Sequence, residues 1–224
     1  MRFIPRFMRF FFHHFYHSLA WTYDFVAAIV SIERWNDWTR TIIPFVRGTT
    51  ILEIGPGPGH LQGLLRDRGL SVTGLDESMQ MIRLAKSHLE KADYKTINLA
   101  RGLAQTLPFP DAKFDSVIST FPSEYVSDSK TLSEIYRVLR DDGKFIIVPA
   151  AWIVGRRIVD RAATWLFEIT GETPKNILEI VTKRFVPPLE QAGFRVEAQE
   201  LEVRSSVVLM LTAIKGSALH QDLK

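Results

Sequence analysis

Three glycines in the run TTILEIGPGPGH have the type and spacing to bind a ligand through the backbone. Gly55, Gly57 and Gly59 follow a β-branched stretch and precede a helical segment that begins near His60. Without side chains, such positions let a ligand reach the N–H groups at a helix start. A tight strand-to-helix connection uses the same residues. The spacing is GxGxG with His at position 60, which does not meet the GxGxxG dinucleotide fingerprint. About 20 residues further on, SVTGLDES closes a second β-branched stretch with Asp76. A carboxylate there would accept hydrogen bonds from both hydroxyls of a ribose. The other employment for Asp76 is a helix N-cap, a task that Ser78 can fill instead.

Both features need strands that end side by side, and the pattern from Thr49 onward supplies them. Short β-branched runs alternate with helical stretches, the signature of a parallel sheet covered on both faces. The runs are Ile51 to Ile54, Ser71 to Leu75, Ile97 to Arg101, Asp115 to Thr120 and Lys144 to Pro149. Phe194 to Val203 and Ser206 to Lys215 are two long strands with almost nothing between them, so they pair as an antiparallel hairpin. Met81, Leu84, Ala85, His88 and Leu89, and then Leu132, Ile135, Tyr136 and Leu139, recur at helical spacing and belong to the core. Asp141, Asp142 and Gly143 form a turn before the fifth strand. The fold class is α/β: a Rossmann-like, seven-stranded, mostly parallel sheet with a terminal antiparallel hairpin, helices on both faces and extra N-terminal helices. We divide the chain into a helical cap over residues 1–48 and a ligand-binding domain over 49–224, with an insert at 152–174.

Composition narrows the chemistry. The 224 residues contain no cysteine, which removes thiolate nucleophiles, cysteine-held zinc and iron–sulfur clusters. No spread of acidic residues matches a metal site, so no metal is expected. A formal charge of +3 is too small to imply a nucleic-acid partner. The apolar run Phe25 to Ile32 is closed by Glu33 and Arg34, short of the ~18 residues a membrane span requires. Arginines and histidines interrupt the first sixteen residues, which therefore read as part of the mature protein rather than a signal peptide. The expected location is cytoplasmic.

ILEIGPGPG, GLDESMQM, GLAQTLPFPDAKFDSVIST and LSEIYRVLRDDGKFIIV, in this order and spacing, resemble a class I S-adenosylmethionine-dependent methyltransferase. The nearest resemblance is to the branch holding quinone C-methyltransferases and phospholipid N-methyltransferases, and it covers residues 23 to 148. The resemblance implies S-adenosylmethionine as cofactor and S-adenosylhomocysteine as product. It implies that Glu53 and the turn Gly55, Pro56, Gly57 and Gly59 lie along the methionine moiety, Asp76 on the ribose, Leu103 and the Ala104 N–H at the adenine, and Ser119 and Thr120 at the pocket floor. Met81 occupies an apolar family position and reads as core. Two departures stand out. Leu103 replaces an acidic residue, leaving adenine to packing and main chain. Glu77 stands where an apolar residue often covers the adenine.

Methyl transfer from a sulfonium requires alignment more than covalent help, and a general base only for hydroxyl or carbon acceptors. The fourth strand exits as STFPSEYV, without the Asn/Asp-Pro-Pro-aromatic element of enzymes that methylate adenine or glutamine. The candidates for activating an acceptor are His17, Tyr23, Glu124 and Tyr125. Tyr23, with Asp24, resembles the Tyr-Asp pair of the quinone branch and either touches the methionine end of the cofactor or packs a helix. In residues 1–20, Arg2, Arg6, Arg9, His13 and His17 recur at helical steps among Phe3, Phe7, Phe10, Phe11 and Phe15. That segment is either a peripheral membrane contact, arginines on anionic headgroups, or a lid over the substrate pocket. The insert carries an apolar stripe of Ile158, Ala162, Trp165 and Ile169 beside Arg156, Arg157 and Arg161. The favoured acceptor is small and hydrophobic or lipid-like, with a soluble natural product as the alternative. A cofactor-binding module without catalysis and a nicotinamide-dependent oxidoreductase are the rivals from other classes. Oligomeric state is not legible.

Overall fold

A computed structural model describes residues 34–153 and 177–216. Seven strands form one sheet: β1 (Thr50–Ile54), β2 (Ser71–Asp76), β3 (Asn98–Arg101), β4 (Phe114–Thr120), β5 (Leu139–Ile153), β6 (Phe194–Val203) and β7 (Ser206–Lys215). Their order is β3-β2-β1-β4-β5-β7-β6. The first five run parallel and the β6–β7 pair is antiparallel, in the register expected of the hairpin. Strand order reverses between β1 and β4, and in open sheets of this kind ligands bind at the strand C-termini beside that reversal.

Strands β1 and β4 are buried along most of their length because both faces are covered. On one face α1 (Trp35–Arg40) and α2 (His60–Arg66) pack with Trp38, Ile42, Leu61 and Leu65 against Ile51, Ile118 and Ile146. On the other, α4 (Ser129–Val138) and α5 (Ile177–Gln191) cover Leu52, Val117 and Phe145 through Leu132, Ile135 and Leu189. Burying each such side chain stabilises the fold by roughly 1.5–3 kcal/mol. Helix α3 (Met79–Lys91) starts at Ser78, whose hydroxyl accepts from the Met81 N–H at 3.4 Å, and buries Met81, Ala85 and Leu89. The Asp128 carboxylate caps α4 by accepting from the N–H groups of Lys130 and Thr131.

The fifth strand departs from expectation at both ends. Pairing begins at Leu139, opposite Phe114, and resumes at Lys144, opposite Ser116. The expected turn at Asp141, Asp142 and Gly143 is therefore a bulge within β5, with Asp142 at φ +59°. At the far end, Trp152 pairs with Val207 and Ile153 with Ser206, so these two residues belong to the strand and not to the insert. The long partner β7 keeps pairing with β5 past the irregularity at Val148 and Pro149, which the local sequence does not reveal. Residues 1–33, including His17 and Tyr23, and 154–176, including most of the insert, lie outside the described residues. Among the described residues, no helix is long and apolar enough to cross a membrane.

Candidate functional site

The site is built where β1 and β2 end. After Ile54 the chain turns through Gly55, Gly57 and Gly59 at φ +73°, +52° and +83°. Two of these glycines are fixed by close approach as well as by conformation. A Cβ on Gly59 would lie 3.1 Å from the Ala85 Cβ and 3.2 Å from its Cα, and one on Gly55 would lie 3.3 Å from the Tyr125 hydroxyl. Left-handed backbone costs any other residue roughly 1–2 kcal/mol. Pro56 is buried within the turn, and the Gly59 N–H closes it onto the Pro56 carbonyl at 2.9 Å. His88 holds the turn from α3 through its Nδ1, 2.9 Å from the Pro58 carbonyl oxygen. His60 begins α2, its ring stacked on that of His88.

Asp76 closes β2 beside this turn. Its carboxylate accepts from the Ser78 N–H at 2.8 Å, while Ser78 supplies the side-chain cap of α3. Burial pushes the Asp76 carboxyl up to about 6, the Ser78 and Gly57 amides opposing the shift and the charge of Glu77 adding to it. Glu77 itself is exposed, and its carbonyl accepts from Arg101.

Glu53 sits one residue before the end of β1 and is 1% exposed. Desolvation pushes its carboxyl up to about 7; the Gln62 amide pulls it down, Asp76 raises it and Arg66 lowers it. Glu53 Oε2 and both polar atoms of the Gln62 amide are buried without a hydrogen-bond partner of normal geometry. Gln62 and Arg66 were not singled out from the sequence. The signal that could have found them is their i, i+4 spacing on the helix after the glycine turn, together with Gly74, where a Cβ would collide with the Gln62 amide.

The adenine-side candidates lie past β3. Leu103 is 50% exposed, while Ala104 is buried, and the Gly102 N–H donates to the Asp76 carbonyl at 3.0 Å, joining this loop to the end of β2. Two side chains clamp the loop from α4. The Glu134 carboxylate accepts from the Leu107 N–H at 2.8 Å, and the Arg137 guanidinium donates to the carbonyls of Leu107 and Phe109 and to the Asp111 carboxylate.

At the end of β4, Ser119 is fully buried and Thr120 half-buried. Ser119 donates to the Ile54 carbonyl at 3.0 Å and lies 2.8 Å from the Tyr125 hydroxyl, which is 3.4 Å from the same carbonyl. Tyr125 therefore stands against the glycine turn. Glu124 points elsewhere: it is exposed and faces Arg184 of α5 at 3.7 Å. Phe121, the next residue past β4, holds φ +50°, and its ring packs at a 32° tilt against Trp35 of α1, centroids 4.2 Å apart. Neither aromatic residue was a sequence candidate, because only the folded chain brings them together. Among the described residues, no three His, Cys, Asp or Glu side chains are grouped as a metal would need.

Residues 52–147 match the sequence model of a methyltransferase domain. The chain is 34% identical over 143 residues to a demethylmenaquinone methyltransferase of Symbiobacterium thermophilum, covering 60% of this chain and 57% of that one. It is 35% identical over 115 residues to an uncharacterized methyltransferase, YdaC, of Bacillus subtilis, covering 50% of this chain and 62% of that one. The chain thus spans less than two thirds of the length of these relatives. Among solved structures, a putative S-adenosyl-L-methionine-dependent methyltransferase of Methanococcus maripaludis superposes with TM-score 0.64 at 20% identity, over 88% of this chain and 92% of that one. Phosphoethanolamine N-methyltransferase 2 of Haemonchus contortus, in complex with S-adenosyl-L-methionine, does so with TM-score 0.56 at 17% identity, over 82% and 53%. The sheet order and its terminal hairpin are the Rossmann-like architecture these proteins share.

Proposed function

We propose that this chain, whose residues 52–147 match the methyltransferase-domain model, transfers the methyl group of S-adenosylmethionine to a small hydrophobic acceptor. The observation that carries the reading is the meeting of three left-handed glycines after β1 with the half-buried Asp76 at the end of β2. The residues fit the cofactor. Glu53 offers a buried carboxylate oxygen without a hydrogen-bond partner of normal geometry, and burial chiefly raises its carboxyl, a cost that a cationic methionine end would offset. Asp76 takes the ribose hydroxyls. Leu103 lends apolar surface to the adenine and Ala104 its main chain, while Pro56, Ser119 and Thr120 shape the floor.

When bound, the cofactor supplies an electrophilic methyl group on sulfur. The chain's part is to hold the acceptor in line with it and to exclude water. The half-buried pair Trp35 and Phe121, past the end of β4, supports a flat, apolar acceptor. The demethylmenaquinone methyltransferases among its relatives support a quinone-type ring. Glu124, His17 and Tyr23 are the side chains on which a base could be carried. Residues 1–20, with arginines among phenylalanines, suit either a lid or contact with the inner face of a membrane, and either role would bring in a lipid-like acceptor.

Titration calorimetry with S-adenosylmethionine, S-adenosylhomocysteine and NADH, on the wild type and Asp76→Ala, tests the cofactor. Micromolar binding of both sulfur nucleotides, lost in the variant, is the expected result; binding of NADH alone, or of nothing, overturns the proposal. Flotation with anionic liposomes tests the membrane contact, and protein left at the bottom of the gradient removes it.

A further inference from the structure

A hydroxyl pair fastens the end of β1. Ser119 and Tyr125 lie 2.8 Å apart, and both approach the carbonyl of Ile54, at 3.0 and 3.4 Å. The next N–H in the chain, that of Gly55, donates to the Leu75 carbonyl at 2.9 Å. The peptide group between Ile54 and Gly55 is thus gripped at both ends: its oxygen by two hydroxyls, its N–H by β2. Gly55 then departs at φ +73°, and the Tyr125 hydroxyl lies 3.3 Å from where its Cβ would be. Ser119 spends its one proton on Ile54, so the Tyr125 proton goes to Ser119 or to the same carbonyl.

We infer that Tyr125 is a positioning residue: with Ser119 it fixes the Ile54–Gly55 peptide, and through it the surface on which the methionine end of the cofactor rests. This rests on the reading of the glycine turn as the S-adenosylmethionine site. The hydroxyl acts at the first residue of the turn, whereas ribose and adenine are held from β2 and the loop after β3. Loss of the hydroxyl should therefore be felt by one end of the ligand only.

Calorimetry with S-adenosylhomocysteine and with 5′-methylthioadenosine, which lacks the amino-acid end, separates the two. In Tyr125→Phe the ring remains and Ser119 keeps its bond to Ile54, so the protein should fold. The Kd for S-adenosylhomocysteine should rise about five- to tenfold, the worth of one hydrogen bond, and that for 5′-methylthioadenosine should stay within about twofold. Ser119→Ala should give the same selectivity and serves as the test if Tyr125→Phe does not fold. Equal weakening of both ligands, or of neither, overturns the positioning role while leaving the cofactor site standing. A wild type that binds neither ligand removes the site itself and this inference with it.

Discussion

The Asp76 carboxylate at the end of β2 disfavours ionisation of Glu53 near the end of β1 and, with the larger effect of burial, pushes Glu53 up to about 7. Asp76 is itself pushed up to about 6, chiefly by burial. Both folded-state values lie above the ordinary carboxylate range, so the stability tied to their protons is fully present below about pH 4 and is lost as pH rises through 6 and 7. Asp115 works the other way. Although burial opposes it, hydrogen bonds from Thr50, Arg140 and Thr49 hold its carboxyl well below the usual range, so its contribution is complete above the ordinary carboxylate range and is lost progressively as pH falls below it. Denaturant unfolding of the ligand-free protein should therefore show stability falling between pH 5 and 7.5. A cationic ligand favours the ionised carboxylates, so S-adenosylmethionine should bind more tightly as pH rises over that interval and should release protons. Calorimetry in buffers of different ionisation heat measures the release; an observed heat independent of buffer would contradict it.

Gly59→Ala should destabilise the protein by about 1–2 kcal/mol from left-handed backbone alone, with the contact to Ala85 adding to that cost. The corresponding fall in Tm is about 2–8 °C for a chain of this size. Thermal unfolding followed by circular dichroism gives the number, and an unchanged Tm would mean that the turn is not held as described.

The glycine turn and Asp76 were legible because their requirements are local: a backbone conformation and the end of a strand. The hairpin was legible for the same reason, since its two strands are neighbours in sequence. What escaped reading depends on partners far away. Tyr125 reads as a candidate for acceptor chemistry, and its engagement with Ile54 joins positions 71 residues apart. The extension of β5 to Ile153 is dictated by β7. Gln62 lies unseen over Gly74, and nothing in STFPSEY announces that Phe121 adopts φ +50°.

Arg137 reaches three partners in the loop after β3, and its neighbour Glu134 holds a fourth. Arg137→Leu leaves the carbonyls of Leu107 and Phe109 without their charged donor and removes the counter-ion of Glu134. Losses of this kind cost about 1–3 kcal/mol. Because the loop begins with Leu103 and Ala104, 5′-methylthioadenosine and S-adenosylhomocysteine, which share the adenosine, should both bind several-fold more weakly, unlike the one-sided loss in Tyr125→Phe. A lower Tm with unaltered nucleoside binding would confine the clamp to stability.

Phe121 holds a left-handed backbone that a bulky residue adopts at a cost of about 1–3 kcal/mol, and such strain persists only where surrounding structure over-determines it. Here the Phe121 N–H donates to the Val148 carbonyl at 2.7 Å and the ring packs against Trp35. The pair stands past the end of β4, whereas Asp76 closes β2, so its loss should be felt by the acceptor and not by the cofactor. Phe121→Ala should leave the Kd for S-adenosylhomocysteine within about twofold. With reduced demethylmenaquinone as acceptor, KM should rise about tenfold, since removing an aromatic contact of this kind costs on the order of 1 kcal/mol beyond the area lost. Trp35→Ala should reproduce the effect, and the double variant should add little to either, because each ring loses its partner when the other is removed. Weakened cofactor binding with an unchanged KM would place the aromatic pair on the cofactor's side of the site instead.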